Sequence, residues 1–356
     1  MNEPLAQFDT WLNDGGPSAV VIKEFLDPVA GKGAVIFPPT FAPDEDSKER
    51  SAQYVIDGEL ENSSCLLDTV GAQANRLETI FQKSRYQALV PQIHVRIGER
   101  SVSILEVGHR AGDAVVRSTI LQPKLREAFR AYSTGDAEPM AKLAPTSLVF
   151  GAWDSRDTQI KMPRLLESSV RAHNVERLRR SAQYFAALTP EEVTDSLEMN
   201  TADKVQREAL STEGFLDSPA GVTQGGIRVN GEIVRTTILN LTALRSIGAQ
   251  TAERTLATRR YILALALIAA AANDDFFFRQ GCILVHDPAK PVESTVVHRN
   301  GKRERAQLEQ ENLDAYANAA AAAFGVGASE TVEFDPAAAK ALMEKRAENR
   351  KKKSTK

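Results

Sequence analysis

A glycine-rich stretch at residues 218–235 carries the residues in this chain best suited to contact an anion. Its glycines would let the backbone approach a ligand closely, and its amide and arginine side chains add hydrogen-bond donors. Backbone amides together with arginine suit phosphate groups. The stretch therefore predicts a phosphate contact, and a plain loop and hairpin is the alternative interpretation. The candidate contact residues are Gln224, Gly225, Gly226, Arg228 and Arg235.

Two aspartates, Asp154 and Asp217, each precede a serine, and both are candidates for general-base chemistry. A carboxylate that acts as a base needs a partner group or a metal ion beside it. Neither aspartate has an obvious partner nearby in the sequence, and aspartate before serine is common in turns. We expect turn or helix-cap roles for both.

Other sequence patterns that would indicate catalysis or cofactor binding are absent. Residues 31–33 read Gly-Lys-Gly but lack the second half of a phosphate-binding P-loop, and no dinucleotide, zinc-protease or serine-hydrolase motif occurs. Cys65 and Cys282 are far apart and form no zinc or disulfide pattern, and the five histidines are dispersed. We expect no catalytic residue, no metal site and no cofactor.

Charge is distributed unevenly along the 356 residues, although the net charge is only −3. Residues 1–70 contain thirteen acids and four bases, residues 156–180 contain seven bases and three acids, and residues 344–356 contain seven bases and two acids. This asymmetry favours a polyanionic partner, or contact between acidic and basic faces of neighbouring copies. A solvated helix face with a solubilising tail is the alternative.

No segment predicts export or membrane insertion. The first fourteen residues lack the basic and apolar regions of a signal peptide. The longest apolar run, residues 262–272, has 11 residues, whereas a membrane span needs about 20. We expect a cytoplasmic protein without a membrane partner.

Hairpins and helices without regular alternation predict an α+β fold with an antiparallel sheet. Residues 64–82 show a helical apolar face and a polar stripe of Thr69, Gln73 and Arg76. Hairpins are predicted at residues 93–105, around Gly98-Glu99, and at 227–234, around Asn230-Gly231. Further strands are predicted at 19–26, 146–153, 281–286 and 331–334, further helices at 123–132, 163–185, 190–197, 251–272 and 307–324, an irregular loop at 28–39, and mobile segments at 42–50 and beyond 347.

Four ordered segments together resemble the backbone RAMP subunit of type I-G (formerly I-U) CRISPR effector complexes, the seventh Cas protein family. They are GKGAVIFPPT at residues 31–40, LLDTVGAQANRLE at 66–78, LVFGAWDSR at 148–156, and the stretch from 218 to 245.

This resemblance implies an RRM-like (ferredoxin-like) antiparallel-sheet palm with inserted finger and thumb elements. It implies a single decorated domain over residues 1–335, followed by a helical and then disordered basic tail at 336–356. The thumb is expected at one of the two predicted hairpins or at a longer irregular insertion.

The implied function is that of a non-catalytic subunit of a Cascade complex. Copies would form a filament along one guide RNA (crRNA), contact other Cascade subunits, and present the guide to target DNA. A subunit that accepts any guide must hold phosphates and overall shape rather than base edges. Besides the glycine-rich stretch, the expected RNA contacts are Lys32, Thr69, Gln73, Arg76, Arg156, Lys161 and Arg164.

Two alternatives stay open at this point. In one, the protein is a RAMP-type ribonuclease that cleaves target or precursor RNA through Asp154 or Asp217. In the other, it is an unrelated metabolic α+β enzyme.

Overall fold

The structure, a computed structural model, describes residues 3–42, 53–272 and 275–344. The strands are β1 (Ala19–Pro28), β2 (Val35–Ile36), β3 (Ile56–Asp57), β4 (Ser64–Asp68), β5 (Ile93–Ile97), β6 (Arg100–Ser103), β7 (Ala152–Trp153), β8 (Lys161–Met162), β9 (Leu166–His173), β10 (Val175–Tyr184), β11 (Ser218–Val229), β12 (Ile233–Asn240), β13 (Phe277–Arg279), β14 (Cys282–His286), β15 (Glu293–Val297), β16 (Arg303–Arg305) and β17 (Glu330–Glu333). The helices are α1 (Glu3–Ala6), α2 (Asp9–Leu12), α3 (Val70–Glu78), α4 (Ala114–Arg117), α5 (Gln122–Ser133), α6 (Glu138–Leu143), α7 (Thr146–Phe150), α8 (Pro190–Leu197), α9 (Lys204–Thr212), α10 (Leu241–Arg245), α11 (Ala252–Ala270) and α12 (Gln310–Phe324).

A curled antiparallel sheet with strand order β13-β14-β1-β12-β9-β4-β3 forms the palm. One edge of β1 is shared, because its first half pairs with β15 and its last three residues pair with β14. Helices pack on one side of this sheet. The architecture confirms the predicted α+β class and is consistent with an RRM-like palm.

Strand β1 shows how the sequence determines the two faces of the palm. Val20, Ile22 and Leu26 alternate with more exposed residues such as Lys23, as a half-buried strand requires. The buried side packs under α3 and α11, and residues 261–270 of α11 are buried throughout. The opposite side of the sheet carries exposed and half-buried side chains.

Glu24 and Arg235 form an ion pair inside the palm, at directly opposed positions of β1 and β12. The Arg235 side chain is only 1% exposed. Its Nη2 lies 3.4 Å from the carbonyl oxygens of Ala270 and Ala272 at the end of α11, and its guanidinium lies 5.3 Å from the ring centroid of Phe276. Arg235 thereby fastens the last turn of α11 to the middle of the sheet.

Strands β9 to β12 build a long two-stranded ribbon that begins in the palm and leaves it. Leu239 pairs with Leu166 in the palm, Val229 pairs with Val175 beyond the bend, and Ser218 pairs with Tyr184 at the far end. At that end the chain leaves β10, forms helices α8 and α9, and returns in β11. These helices enclose a small hydrophobic cluster that is separate from the rest of the core. The ribbon thus carries a helical tip, residues 185–217, away from the main cores.

Four sequence predictions about secondary structure are wrong. Residues 64–68 are strand, and the helix begins only after Thr69, whose side chain caps it by accepting from the Ala72 amide at 3.0 Å. The apolar run at 146–150 is a buried helix rather than a strand, an ambiguity that a short apolar run cannot resolve. Residues 163–185 form strands β9 and β10 instead of a helix.

The fourth error concerns Asn230-Gly231, which is not a hairpin turn. Strand β11 pairs with β10 and strand β12 pairs with β9, the strand that directly precedes β10, so the chain does not reverse at this point. The Gly231 amide donates to the His173 carbonyl at 3.1 Å. The hairpin at 93–105 is confirmed, with Gly98 at φ +59° as its turn requires. The predicted mobile segments at 42–50 and beyond 347 lie outside the described residues, apart from Ala42.

The remaining predictions agree closely with the structure. Strands lie at Ala19–Pro28, Cys282–His286 and Glu330–Glu333, and helices lie at Gln122–Ser133, Pro190–Leu197, Ala252–Ala270 and Gln310–Phe324. Residues 336–344 are also helical. None of the helices in the described ranges combines the length and apolarity needed to cross a bilayer.

Substituting Arg235→Ala should lower the free energy of unfolding by about 3–5 kcal/mol, because it leaves the Glu24 carboxylate buried without its partner. Urea unfolding monitored by circular dichroism measures this change. Arg228→Ala is the matched control, since its ion pair with Glu176 is exposed and should contribute at most about 1 kcal/mol. Equal losses for the two variants would contradict the structural role of Arg235.

Candidate nucleic-acid interface

The predicted contacts around Lys32 and the glycine-rich stretch meet at the root of the ribbon. A groove of about 330 Å³ is lined there by Lys32 and Gly33 from the loop after β1, and by Asn230 and Gly231. The Lys32 Nζ lies 3.0 Å from the Asp287 Oδ2, and this hydrogen bond raises the pKa of Lys32. Its side chain is 65% exposed, so the ammonium can also reach a ligand.

The glycine-rich stretch at 218–235 is not a loop but comprises strand β11 and the start of β12. Gly226 has φ +90°, and a Cβ there would lie 2.6 Å from a Val35 side-chain carbon, so only glycine fits this irregular point of the ribbon. Gly225 packs equally closely against the Leu178 backbone. Both glycines therefore shape the ribbon, and their flanking side chains are the groups left to meet a ligand.

Those flanking side chains differ in whether their polar groups are exposed and able to contact a ligand. The Gln224 amide is tied to Gln53, with 2.7 Å between Nε2 and Oε1, and its Oε1 accepts from Arg177. Arg228 is exposed, and its Nη1 lies 2.8 Å from the Glu176 Oε2. Arg235 lies inside the palm in the ion pair with Glu24, so it presents no donor at the surface.

The predicted polar stripe on α3 faces the sheet and joins a hydrogen-bond network. Gln73 is buried, donates to the Asp68 Oδ2 at 2.8 Å and accepts from the Ser168 hydroxyl at 2.9 Å. Thr69 is the helix cap. Arg76 donates to the same Asp68 oxygen at 3.1 Å and to the Phe277 carbonyl at 3.0 Å, which fastens α3 to β13. The stripe therefore holds the palm together, and only Gln73 is fully buried, since Thr69 and Arg76 are partly exposed.

The basic segment predicted at 156–164 forms a corner around the β7–β8 pair. Arg156 and Lys161 are exposed there, and Lys161 pairs across the strands with the exposed Trp153. Arg164 is half-buried, and its Nε donates to the Phe150 carbonyl at 3.0 Å. This corner offers two exposed cations beside an aromatic ring.

Both candidate catalytic aspartates occupy turn positions. Asp154 is buried, and its Oδ2 accepts from the amide and the hydroxyl of Thr158, both at 2.9 Å, while Arg117 lies 3.8 Å from its Oδ1. Asp217 accepts from the Ala186 amide at 2.7 Å at the base of the helical tip. Within residues 3–42, 53–272 and 275–344, no three His, Cys, Asp or Glu side chains come close enough to hold a metal ion.

Sequence reasoning missed the open face of the palm as a binding surface. Lys23, Thr236 and Ser169 stand side by side on β1, β12 and β9 on the face away from α3 and α11, and Arg171 follows two residues after Ser169. The Arg171 guanidinium reaches the Asp57 carboxylate at 2.8 Å and stays partly exposed. The alternation in β1 signals an outward Lys23, but the pairing that aligns it with the other strands is visible only in the fold.

Beneath α3, Glu78 and Arg110 form a second buried ion pair, with 2.6 Å between the Glu78 Oε2 and the Arg110 Nε. Burial raises the pKa of Glu78 to about 7, against the lowering effects of Arg110 and of a hydrogen bond from Thr146. Arg110 also donates to the exposed Asn75 of α3, so this pair anchors the helix that crosses the sheet.

Because the folded-state pKa of Glu78 lies above its value in the unfolded chain, the folded state binds the proton more tightly. The associated stability is fully present below about pH 4.5 and is lost as the pH rises through about 7. Urea unfolding across this range should show the parent protein losing stability relative to Glu78→Gln. Parallel pH profiles for the two proteins would contradict an elevated pKa.

Comparison with known protein families gives a match over part of the chain. The family model described as CRISPR-associated protein GSU0053 matches residues 20–177, somewhat less than half of the chain. The match covers β1, the Lys32 loop, α3, the β7–β8 corner and the start of the ribbon, and it includes three of the four segments on which the sequence resemblance depends. No curated protein matches the chain. The match bears out, over residues 20–177, the resemblance of this chain to a CRISPR-associated protein family.

Proposed function

We propose that this protein is a guide-RNA-binding backbone subunit of a Cascade-type interference complex, and that it catalyses no reaction itself. The observation that carries the proposal is the open palm face, where Lys23, Ser169, Thr236 and Arg171 form a polar, cationic row across three strands. The family match over residues 20–177 supplies the CRISPR context. In this role, copies of the chain assemble along one crRNA together with other Cascade subunits.

The chemistry of these surfaces favours phosphate over base recognition. Lysine and arginine neutralise phosphates without reading sequence, and hydroxyl groups such as those of Ser169 and Thr236 add neutral donors. A subunit that must accept any guide needs this combination, because sequence reading is left to base pairing with the target DNA.

The arrangement of the cationic groups favours a polymeric ligand. Lys32 and Arg228 lie at the root of the ribbon, Lys23 and Arg171 on the open face, and Arg156 and Lys161 at the β7–β8 corner. These groups do not converge on one pocket, as they would for a small anion. We propose them as successive contacts along an RNA backbone.

The ribbon is our candidate for the thumb. It is the long insertion that sequence analysis left open, and it is larger than either predicted hairpin. Its proximal half is basic, with Arg177, Arg179, Arg180 and Arg228, and lies next to the Lys32 groove. We propose that this half borders the path of the guide.

Replacing Lys23 and Arg228 together with alanine should weaken RNA retention most at low salt, and the difference from the parent should shrink as salt rises. Each lost phosphate contact should reduce the slope of log affinity against log salt by about 0.7 for single-stranded RNA. Filter binding of a labelled guide across a salt series measures both quantities. Arg130→Ala, an exposed arginine on α5, is the control and should bind as the parent does.

Parental binding by the double variant at every salt concentration would contradict the placement of the RNA.

Incubation of the protein with Mg²⁺ and a guide-complementary RNA distinguishes the proposed binding role from the ribonuclease alternative. Regularly spaced cuts that disappear in Asp154→Ala or Asp217→Ala would replace this proposal with a catalytic one.

A further inference from the structure

Trp153, at the β7–β8 corner, is a large aromatic residue left in solvent. It is 55% exposed, whereas the other tryptophan, Trp11, is half-buried and packs on Phe8 with 4.7 Å between the ring centroids. Exposing a ring of this size forgoes the stabilisation that its burial would give. Packing within the folded chain therefore gives no reason for a tryptophan at this position.

The backbone that carries the ring is fixed by hydrogen bonds and by close packing. Trp153 pairs with Lys161 across the two strands, and the Asp154 amide donates to the Ile160 carbonyl at 3.0 Å. Gly112 packs so closely from below that a Cβ there would lie 3.0 Å from the Trp153 carbonyl oxygen. A ring presented on a preorganised corner loses little conformational entropy when a ligand contacts it.

The exposed charges beside the ring are positive. Arg156 and Lys161 are both exposed, and neither has an ion-pair partner in the part of the chain that the structure describes. The two acids of the corner are already engaged, because Asp157 accepts from Arg126 at 2.9 and 3.2 Å and Asp154 is buried. Within residues 152–162, the charged groups left for a ligand are therefore cations.

A single ring among polar neighbours favours a nucleobase over a protein partner. Within residues 146–166, Trp153 is the one large hydrophobic residue that is exposed, and Arg156, Gln159 and Lys161 are the exposed residues nearest to it in the sequence of the corner. An aromatic anchor for a protein partner would be surrounded by further packed contacts that exclude water. A base needs only one ring face, with cations to contact the backbone beside it.

We infer that Trp153 stacks on an unpaired base of the guide RNA, while Arg156 and Lys161 contact the adjoining phosphates. Every base has a π-face, so stacking suits a subunit that must accept any guide. This inference rests on the proposed function, and it adds a base contact to surfaces that otherwise hold only phosphates.

Two RNAs that differ only in their bases test the stacking. Trp153→Ala should weaken binding of a single-stranded RNA of guide length about tenfold, and Trp153→Phe, which keeps a ring, should lose less. On an abasic RNA of the same length, Trp153→Ala should bind as the parent does. Filter binding measures all of these affinities. Val292→Ala, 49% exposed at the opposite edge of the palm, is the control and should bind RNA as the parent does.

Salt dependence separates stacking from charge. Trp153→Ala removes no phosphate contact, so the slope of log affinity against log salt should stay at the parental value. Arg156→Ala should instead reduce this slope by about 0.7.

Tryptophan fluorescence gives an independent measurement. The sequence contains two tryptophans, so in a Trp11→Phe background the emission reports Trp153 alone. Single-stranded RNA should quench this emission, and the abasic RNA should not.

The outcomes distinguish this inference from the proposed function. Parental RNA binding by Trp153→Ala, or an equal loss on the abasic RNA, overturns the inference alone, since the parent still binds RNA. A Trp153→Ala protein that keeps its RNA but no longer joins other subunits assigns the ring to a protein contact and also overturns it. A parent protein that holds no RNA defeats the proposed function and this inference with it.

Discussion

The ion pair between Glu24 and Arg235 determines how the rest of the molecule is arranged. It lies at the centre of the palm, where β1 and β12 meet, and it also closes the carbonyl end of α11. Two buried charges are tolerated there because each pairs with the other and the Arg235 Nη2 lies near two carbonyl oxygens at the helix end. Since α11 can sit on only this side of the sheet, the opposite face stays open.

Asp68, nearer the edge of the sheet, is a second buried carboxylate that neighbouring side chains pair with. Gln73 joins Asp68 to Ser168, and Thr237 joins Ser168 to the neighbouring strand. Together with Arg76, this network fixes α3 across the sheet. Residues that resemble ligand contacts in sequence therefore have structural roles here, while Lys23 and Arg171, two of the contacts proposed for RNA, lie on the opposite face of the sheet.

Sequence patterns predicted the fold class and many elements but not the ribbon. The alternation in β1 and the glycine turn after Ile97 are local signals, and both predictions are confirmed. The helix predicted at residues 163–185 is wrong because their arginines and apolar residues also fit a helical spacing. Pairing with β11 and β12 decides their conformation instead. Arg235 could not be assigned to the interior from sequence, since its partner Glu24 is 211 residues away.

The continuity of the ribbon strands has a mechanical consequence. Strands β9–β10 and β11–β12 each pass from the palm into the ribbon after a short interruption near residues 174 and 230, so the position of the tip depends on the backbone angles at this bend. Ten residues of strand extend about 33 Å, so a rotation of about ten degrees at the bend displaces the tip by about 6 Å. Small changes of the backbone angles at the root thus become large changes in the position of the tip.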